Sequence, residues 1–358
     1  MQWELSEEQE LYTTSLREWL QERADTTTIR HWLDSDDHAT FQQLFVEEDW
    51  AGVGFDEAVG GQGGGLLELA LTARELGRVA APSTSWLSLA IISPALTNEP
   101  TILRAAITRG EETALATRAD RIPQASEIRV IEGRLSGQIP HVLNGARAAH
   151  LLVPVTDRDT TSLWIIDSTE PGIDIRPEPL LDRSREVAEI TLHNVPARRL
   201  KVDANQVINE ISNRAAVLIA ADALGAYERM LALTVEYSKQ RQQFGVPIGS
   251  FQAVKHYAAQ MLVTVESSMS IAFYAAQSVE DDLPDCATHA AVAKAQITGH
   301  ATELSDSALT LHGAIGYTWE HDLHLFYKRA KLDGVLFGTP TAWNERIAQS
   351  LPLIPASA

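Results

Sequence analysis

The stretch RQQFGVPIGSFQAVKH, residues 241–256, combines a cation and an aromatic ring with residues that form tight turns. Arg241 is always charged, and its guanidinium group matches the geometry of a phosphate. Phe244 offers a rigid apolar face that can stack on a heteroaromatic ring. Pro247 and Gly249 stiffen the turn between two helical patterns. The segment indicates either a site for a phosphorylated aromatic ligand or an interhelical loop in which the arginine pairs with an acid and the phenylalanine packs; spacing alone favours the loop.

A second segment, LHGAIGYTWEHDLH at residues 311–324, could also approach a ligand. Gly313 and Gly316 allow a backbone to come close to a bound group, and N–H groups in such a turn can bind a pyrophosphate. His321 and His324 could share a metal ion, but no third ligand stands at a useful spacing. We therefore interpret both histidines as surface or packing residues and predict no metal site.

Two short segments predict turns, and one of them could face a ligand. In FGTPTAW, residues 337–343, Gly338 and Thr339 lead into a helical pattern. Capping of that helix by the Thr339 hydroxyl is the simpler interpretation, and contact with a ligand is the alternative. The segment STEPGIDI, residues 168–175, lies between two apolar runs and is interpreted as a hairpin turn.

Composition excludes several classes of function. The 358 residues carry a net charge of −19, from 29 basic and 48 acidic side chains, and such a surface repels nucleic acid. Cys286 is the only cysteine, which excludes an intrachain disulfide and a thiolate metal cluster. The most apolar long stretch, residues 86–96, is too short to span a bilayer, and the acidic N-terminal residues do not resemble a signal peptide. We expect a cytoplasmic protein without a membrane span.

The elements that must position these segments fall into three regions, which predict an α+β multidomain fold. Residues 1–110 carry a helical apolar period, with Ser6 as the N-cap of the first helix. Residues 111–204 contain short β-branched runs bounded by turn residues. Residues 205–358 return to long alanine-rich helical patterns. The segment 241–256 therefore joins two helices of the third region.

Taken in order, these segments resemble the acyl-CoA dehydrogenase family over nearly the whole chain. RQQFGVPIGSFQAVKH is similar to the signature R-x-x-F-G-x-P-I-x-x-F-Q-A-V, and LHGAIGYTWEHD is similar to a G-G-x-G-Y motif. FGTPTAW resembles an E-G-T turn, and GGQGGGLLELALTARELGRVAAP resembles an N-terminal G-G-x-G…E-L-G-R segment. The resemblance implies an N-terminal helical domain, a middle β barrel-like domain and a C-terminal four-helix bundle.

The resemblance also implies an activity and a cofactor. The family desaturates acyl-CoA thioesters between the α and β carbons: a carboxylate removes the α-proton, and flavin accepts the β-hydrogen as hydride. FAD is shared across a subunit interface, and the R-x-x-F motif reaches the pyrophosphate and adenine end of the neighbouring subunit's FAD. Carried over, the cofactor-binding residues are Arg241, Gln243, Phe244, Gly313, Ala314, Gly338 and Thr339.

The chain departs from the family pattern at the catalytic positions. The commonest catalytic glutamate is replaced by Phe337, and the alternative position in the first C-terminal helix is Ala215, so we predict no catalytic base in this chain. A flavin-binding T-E-P-x-x-G-S-D loop is missing from residues 114–126, and the T-E-P letters at residues 169–171 come about two strands too late. Thr310 replaces a glutamine that is usual near the glycine loop.

This combination resembles one subunit of the heteromeric α2β2 acyl-CoA dehydrogenases of bacterial sterol side-chain catabolism. The resemblance implies three partners: an acyl-CoA substrate, a homologous subunit that supplies the base, and an electron-transfer flavoprotein or another acceptor. Two alternatives stay open. The chain could be a self-sufficient homo-oligomer with a relocated base at Glu210, Asp222 or Glu320, or it could be a non-catalytic scaffolding homologue.

Overall fold

The computed structural model describes residues 5–126, 128–158 and 160–351. The outer ends of the first and third predicted domains, residues 1–4 and 352–358, lie outside this part of the chain. Helices come first, two small sheets follow, and helices return, which is the predicted order of elements. No helix in the described part is long and apolar enough to cross a membrane.

The N-terminal region is a cluster of helices around an aromatic core. Its first helix begins at a capping box: the Ser6 hydroxyl accepts from the Gln9 N–H at 3.2 Å, and the Gln9 side chain accepts from the Ser6 N–H at 3.0 Å. This confirms the predicted N-cap. Trp19 of this helix packs against Phe41 and Phe45, whose rings also stack on each other. The helices are α1 (Glu7–Arg23), α2 (Thr26–Ser35), α3 (His38–Glu47), α4 (Leu66–Val79), α5 (Thr84–Ile92) and α6 (Pro100–Arg109).

The middle region contains two four-stranded sheets that do not close into a barrel. Their strands are β1 (Thr113–Leu115), β2 (Arg129–Ile131), β3 (Arg134–Leu143), β4 (His150–Asp157), β5 (Thr160–Asp167), β6 (Ile173–Glu178), β7 (Val187–Pro196) and β8 (Arg198–Arg199). The orders are β1-β4-β5-β8 and β2-β3-β7-β6, and only β1 and β4 pair in parallel. Apolar side chains from both sheets form one buried cluster.

The hairpin predicted at residues 168–175 is wrong. The turn does lie between two strands, and Gly172 adopts a left-handed φ of 94°. However, β5 belongs to one sheet and β6 to the other, so the turn carries the chain across the domain instead of joining paired strands. Alternation of apolar residues marks strands, but it does not specify which strand pairs with which.

The C-terminal region is built on one long helix. Helix α7 (Ala204–Gln240) packs against α4 of the first region and against four of the helices that follow it. Glycines permit the close crossing of α4 and α7, because a Cβ on Gly225 would lie 1.9 Å from the Arg74 carbonyl oxygen. The remaining elements are β9 (Gln242–Gln243), β10 (Val246–Pro247), α8 (Gln252–Glu280), α9 (Cys286–Gly299), α10 (Ala301–His312), α11 (Leu323–Asp333) and α12 (Pro340–Ser350).

Candidate functional site

A two-stranded hairpin between α7 and α8 holds the predicted cation and ring at the surface. Strands β9 and β10 pair in antiparallel register, and the Ile248 N–H donates to the Arg241 carbonyl at 2.8 Å. Phe244 lies at the tip with a left-handed φ of 54° and is 92% exposed. Gln243 and Arg241 are also exposed, and the arginine forms no ion pair within the described part of the chain. An ordinary packed loop would cover these side chains, so the hairpin is poised to contact another molecule.

An exposed apolar face continues from the hairpin along α8. Phe251, at the start of this helix, packs edge-on against Phe244 with ring centroids 6.1 Å apart. Further along α8, large apolar side chains remain exposed at Tyr257, Leu262, Val263 and Tyr274. Runs of exposed large apolar residues are typical of surfaces that another chain covers.

The glycine loop lies at the same end of α7 as the hairpin. Gly313 has a left-handed φ of 64°, and both it and Ala314 are exposed. The preceding His312 stacks on Tyr237 with ring centroids 4.7 Å apart, and the Tyr237 carbonyl accepts from the Arg241 N–H at 2.8 Å. The fold thus places five of the predicted cofactor positions around one end of one helix.

The two remaining predicted positions have different surroundings. Gly338 is buried, and a Cβ there would lie 2.7 Å from Cγ1 of Ile122. The Thr339 hydroxyl accepts from the Ala342 N–H at 3.3 Å, which makes it the N-cap of α12. The structure gives the threonine the capping role that was the simpler interpretation of the sequence.

Both usual base positions are covered by the chain itself. Phe337 is buried at a φ of 53°, and its N–H donates to the Ala119 carbonyl at 2.6 Å. Ala215 has no exposed surface, and Ser212, one turn earlier on α7, bonds the Pro123 carbonyl at 3.2 Å. The segment 114–126, where the family's flavin loop was expected, therefore bonds the backbone of Phe337 and contacts α7 one turn before Ala215. Neither position lines space that solvent can reach.

A buried ion network joins all three regions and was not predicted. Asp222 of α7 accepts from Arg329 of α11 at 2.6 and 2.9 Å and from Arg185 of the β6–β7 loop at 3.1 Å. The two arginines also donate to Ser83 and Ala81, which lie between α4 and α5. Burial alone would raise the pKa of Asp222, but the two guanidinium groups outweigh it and hold that pKa below its ordinary value.

One sequence signal could have identified this network. Asp222 is the only charged residue in the run AAVLIAADALGAY, and a charge within an apolar helix must have a buried partner. We expected this residue instead as a possible relocated base. Its two ion pairs leave no free carboxylate oxygen for that role, and it has almost no exposed surface.

The turn that holds Phe337 is fixed by a buried lysine. The Lys294 ammonium donates to the carbonyls of Asp333 and Gly338 at 2.8 and 2.9 Å. Burial lowers the pKa of Lys294 to about 7. Burial, together with the charge of Asp222, also raises the pKa of the Asp333 carboxyl well above its ordinary value. A protonated Asp333 can donate to Asp222, which accounts for a buried carboxyl that otherwise lacks a hydrogen-bond donor.

The other proposed bases and ligands are scattered. Glu210 and Glu320 are both exposed, and the first accepts from Gln206 at 2.9 Å. Within the described residues one trio could hold a metal ion, formed by Asp36, His38 and Glu186. Its glutamate is already bound by the guanidinium of Arg147 at 2.9 Å, which opposes a second cation at that oxygen.

Family models match most of the chain. The model for the acyl-CoA dehydrogenase N-terminal domain matches residues 6–102, and the model for the C-terminal domain matches residues 206–351. Acyl-CoA dehydrogenase IpdE2 of Mycobacterium tuberculosis is 30% identical over 341 residues, which cover 93% of this chain and 94% of that protein. The chain belongs to the acyl-CoA dehydrogenase family. Acyl-CoA dehydrogenase FadE34 of the same organism is 31% identical over 298 residues, which cover 83% of this chain and 40% of that longer protein.

Solved structures share the acyl-CoA dehydrogenase fold. A variant of the Tcur3481–Tcur3483 steroid ACAD superposes with a TM-score of 0.85 at 26% identity, covering 96% of this chain and 97% of that chain. The ChsE4–ChsE5 complex from Mycobacterium tuberculosis superposes with a TM-score of 0.87 at 21% identity, covering 99% of this chain and 100% of that chain. At that identity the second match establishes the fold alone.

Proposed function

We propose that the chain is one subunit of an FAD-dependent acyl-CoA dehydrogenase and acts only together with a homologous subunit. The complex desaturates an acyl-CoA thioester between its α and β carbons. In this proposal residues 1–110, 111–204 and 205–358 are the three domains, and the partner supplies the catalytic base.

The observation that carries the proposal is a contrast between two parts of the structure. The hairpin presents to the outside a guanidinium that forms no ion pair among the described residues and a phenylalanine that is 92% exposed. Inside the chain, Phe337 and Ala215 replace the usual bases and are both buried. The chain is therefore equipped to contribute to a site centred in a neighbour and poorly equipped to build one of its own.

The outward-facing residues fit the end of FAD that carries the pyrophosphate and adenine. Arg241 can form charge-assisted hydrogen bonds to phosphate oxygens, and Phe244 can lie against the adenine ring. Gln243, Gly313 and Ala314 add amide and backbone groups at the same end of α7. When bound, FAD supplies a hydride acceptor for the β-hydrogen of the substrate. Gly338 and Thr339 are engaged in packing and capping, which leaves them a supporting role.

The internal residues do not fit a second flavin. Ile122 lies against Gly338, and the segment around it is hydrogen-bonded to both Phe337 and Ser212. A flavin ring placed between those elements would have to displace this segment. The complex is therefore expected to hold one functional flavin site per pair of unlike subunits.

The exposed apolar side chains of α8 support the presence of a partner chain, and the similar structures indicate which class of protein it is. The Tcur3481–Tcur3483 steroid ACAD is described as a pair of chains, so we infer that the partner is a homologous acyl-CoA dehydrogenase chain. Because one similar structure is a steroid ACAD, we infer a steroid-derived CoA thioester, such as a sterol side-chain CoA, as the substrate class. An electron-transfer flavoprotein or another acceptor then reoxidises the complex, which we place in the cytoplasm.

Co-expression with a homologous acyl-CoA dehydrogenase chain from a neighbouring gene tests this proposal. The purified chain alone is expected to be colourless, whereas the complex shows the flavin absorbance at about 450 nm and reduces a dye when acyl-CoA is added. The matched control is co-expression of the partner alone. Size-exclusion chromatography with light scattering measures whether the two chains form one species.

Two outcomes would favour the alternative functions, a self-sufficient enzyme or a scaffolding protein, over this proposal. A chain that is yellow and active alone would establish a self-sufficient enzyme. A chain that binds the homologue tightly, while the assembly stays colourless and inactive, would establish a scaffolding role.

A further inference from the structure

A cleft of about 360 Å³ lies where the three regions of the chain meet. Its walls come from α2, from the loop between β6 and β7, and from the turn that enters α11 together with that helix. None of the predicted cofactor or base positions lines it. We call it the Trp319 cleft, and its main lining residues are Arg30, Leu33, Leu181, Trp319, His324 and Lys328.

Two arginines form a fixed frame around the cleft. Arg30 donates to Asp322 at 2.9 and 2.8 Å and to the Trp319 carbonyl at 2.7 Å. Arg183 donates to Asp34 at 2.9 Å and to the Leu33 carbonyl. Because each guanidinium already has its own carboxylate, the arginines stiffen the walls and add little net charge.

Lys328 and His324 provide polar groups that are not committed in this way. The Lys328 ammonium lies 4.1 Å from the centroid of the Trp319 ring and forms no ion pair with any carboxylate of the described residues. It lies 3.5 Å from Nδ1 of His324, which must accept because an ammonium can only donate. Nε2 of His324 therefore carries the proton, and this buried atom has no hydrogen-bond partner although the residue is only 5% exposed.

The neutral state of this histidine is supported by its surroundings. Burial, with Lys328 and Arg30 nearby, lowers the pKa of His324 to about 4. The cleft thus offers the positive charge of Lys328, with the neutral His324 ring beside it in the wall. A carboxylate can accept a charge-assisted hydrogen bond from the ammonium.

The rim of the cleft is apolar and exposed. Leu181 is 85% exposed and Trp319 is 64% exposed, while Leu33 and Leu325 lie deeper in the walls. Large apolar side chains beside a cavity of this size are typical of sites that bury an organic ligand. A ligand between the leucine and the indole would remove both from water.

We propose that the Trp319 cleft binds a small amphipathic monocarboxylate, with its carboxylate at Lys328, beside the His324 ring, and its apolar body between Leu181 and Trp319. A polyphosphate is disfavoured because Asp182, which also lines the cleft, would repel several negative charges. This site is independent of the FAD contacts proposed above, because it shares no residue with them.

Isothermal titration of the full chain and of its complex with 2-naphthoate tests the site. We expect saturable binding of one molecule per chain, and at least about tenfold weaker binding of 2-naphthamide, which has the same shape without the charge. Lys328→Met is expected to weaken naphthoate binding by about tenfold or more. Lys331→Met removes the same charge from an exposed position on the same helix and should change the affinity by less than about twofold.

A second variant keeps the test decisive if Lys328→Met does not fold. Leu181→Ser replaces an exposed side chain, so it leaves the fold intact and should still weaken naphthoate binding several-fold. The proposal is overturned if naphthoate shows no saturable binding, or if the amide binds as well as the acid. It is also overturned if the free chain binds 2-naphthoate but the complex does not, because the partner subunit would then be what fills the Trp319 cleft.

Discussion

Replacing Asp222 with alanine tests the ion network that ties the three regions together. Asp222 faces two guanidinium groups, from Arg329 and Arg185, and all three side chains are buried. Removing the acid leaves two buried cations without their main counter-charge. Deleting one member of a buried ion pair typically costs about 3–5 kcal/mol.

The neighbouring Asp333 determines whether the loss of stability in Asp222→Ala lies near the lower or the upper end of the range of about 3–5 kcal/mol. Its carboxyl is held neutral partly by the charge of Asp222, so loss of Asp222 favours its ionisation and restores part of the counter-charge. We therefore expect about 3 kcal/mol for Asp222→Ala and about 5 kcal/mol for the double variant Asp222→Ala/Asp333→Asn. The double variant isolates the compensation because it leaves neither acid.

Thermal unfolding at a fixed scan rate measures these differences. At roughly 2 °C per kcal/mol for a chain of this size, the melting temperature should fall by about 6 °C and about 10 °C, respectively. The control Asp34→Ala breaks the largely exposed pair with Arg183 and should lower it by no more than about 2 °C. If Asp222→Ala melted within 2 °C of the parent, the reasoning about the buried network would be refuted.

Three further predictions concern single side chains. Burial raises the pKa of Glu112 to about 7 from an ordinary value near 4.5, so keeping this carboxylate ionised in the folded chain costs more stability as the pH rises from 4.5 to 7. Glu112→Gln should therefore stabilise the chain by roughly 1–3 kcal/mol at pH 8, as measured by urea titration. A gain in stability that does not shrink toward pH 5 would contradict this. Thr339→Ala should cost about 1 kcal/mol through loss of the cap, with the FAD content of the complex unchanged; lost flavin would instead indicate direct contact. Phe337→Glu places an unpaired carboxyl in a buried position, so it should destabilise the chain by several kcal/mol. The variant chain should also show no acyl-CoA-dependent dye reduction. An active variant would show that position 337 can reach a substrate.

Local features of the fold could be predicted from the sequence because they depend on neighbouring residues. The Ser6 cap needs only Gln9, three residues away, and the turn between α7 and α8 needs only Pro247 and Gly249; the pairing of β9 with β10 inside that turn was not predicted. The short β-branched runs within residues 111–204 indicated a region of strands for the same reason. These features are set by backbone preferences over a few residues.

Features that depend on distant partners could not be predicted. Arg185 and Arg329 reach Asp222 from positions 37 and 107 residues away, so spacing gave no hint of the pairing. Gly225 permits the close approach of α4, and nothing in the neighbouring sequence indicated that contact. The contact of the segment 114–126 with Ser212, one turn before Ala215, likewise exists only after the regions pack.

The FAD affinity of the complex when Arg241 alone is changed tests the central claim most directly. FAD is removed from the complex and titrated back, with Arg241→Met in this chain and an unmodified partner. The control Arg176→Met removes an exposed arginine of the β domain. A charge-assisted contact to phosphate is worth about 1.5–3 kcal/mol, so the account predicts FAD binding weaker by roughly 10- to 150-fold for Arg241→Met and unchanged for the control. Equal FAD affinity of the Arg241→Met complex and the parent complex would contradict it.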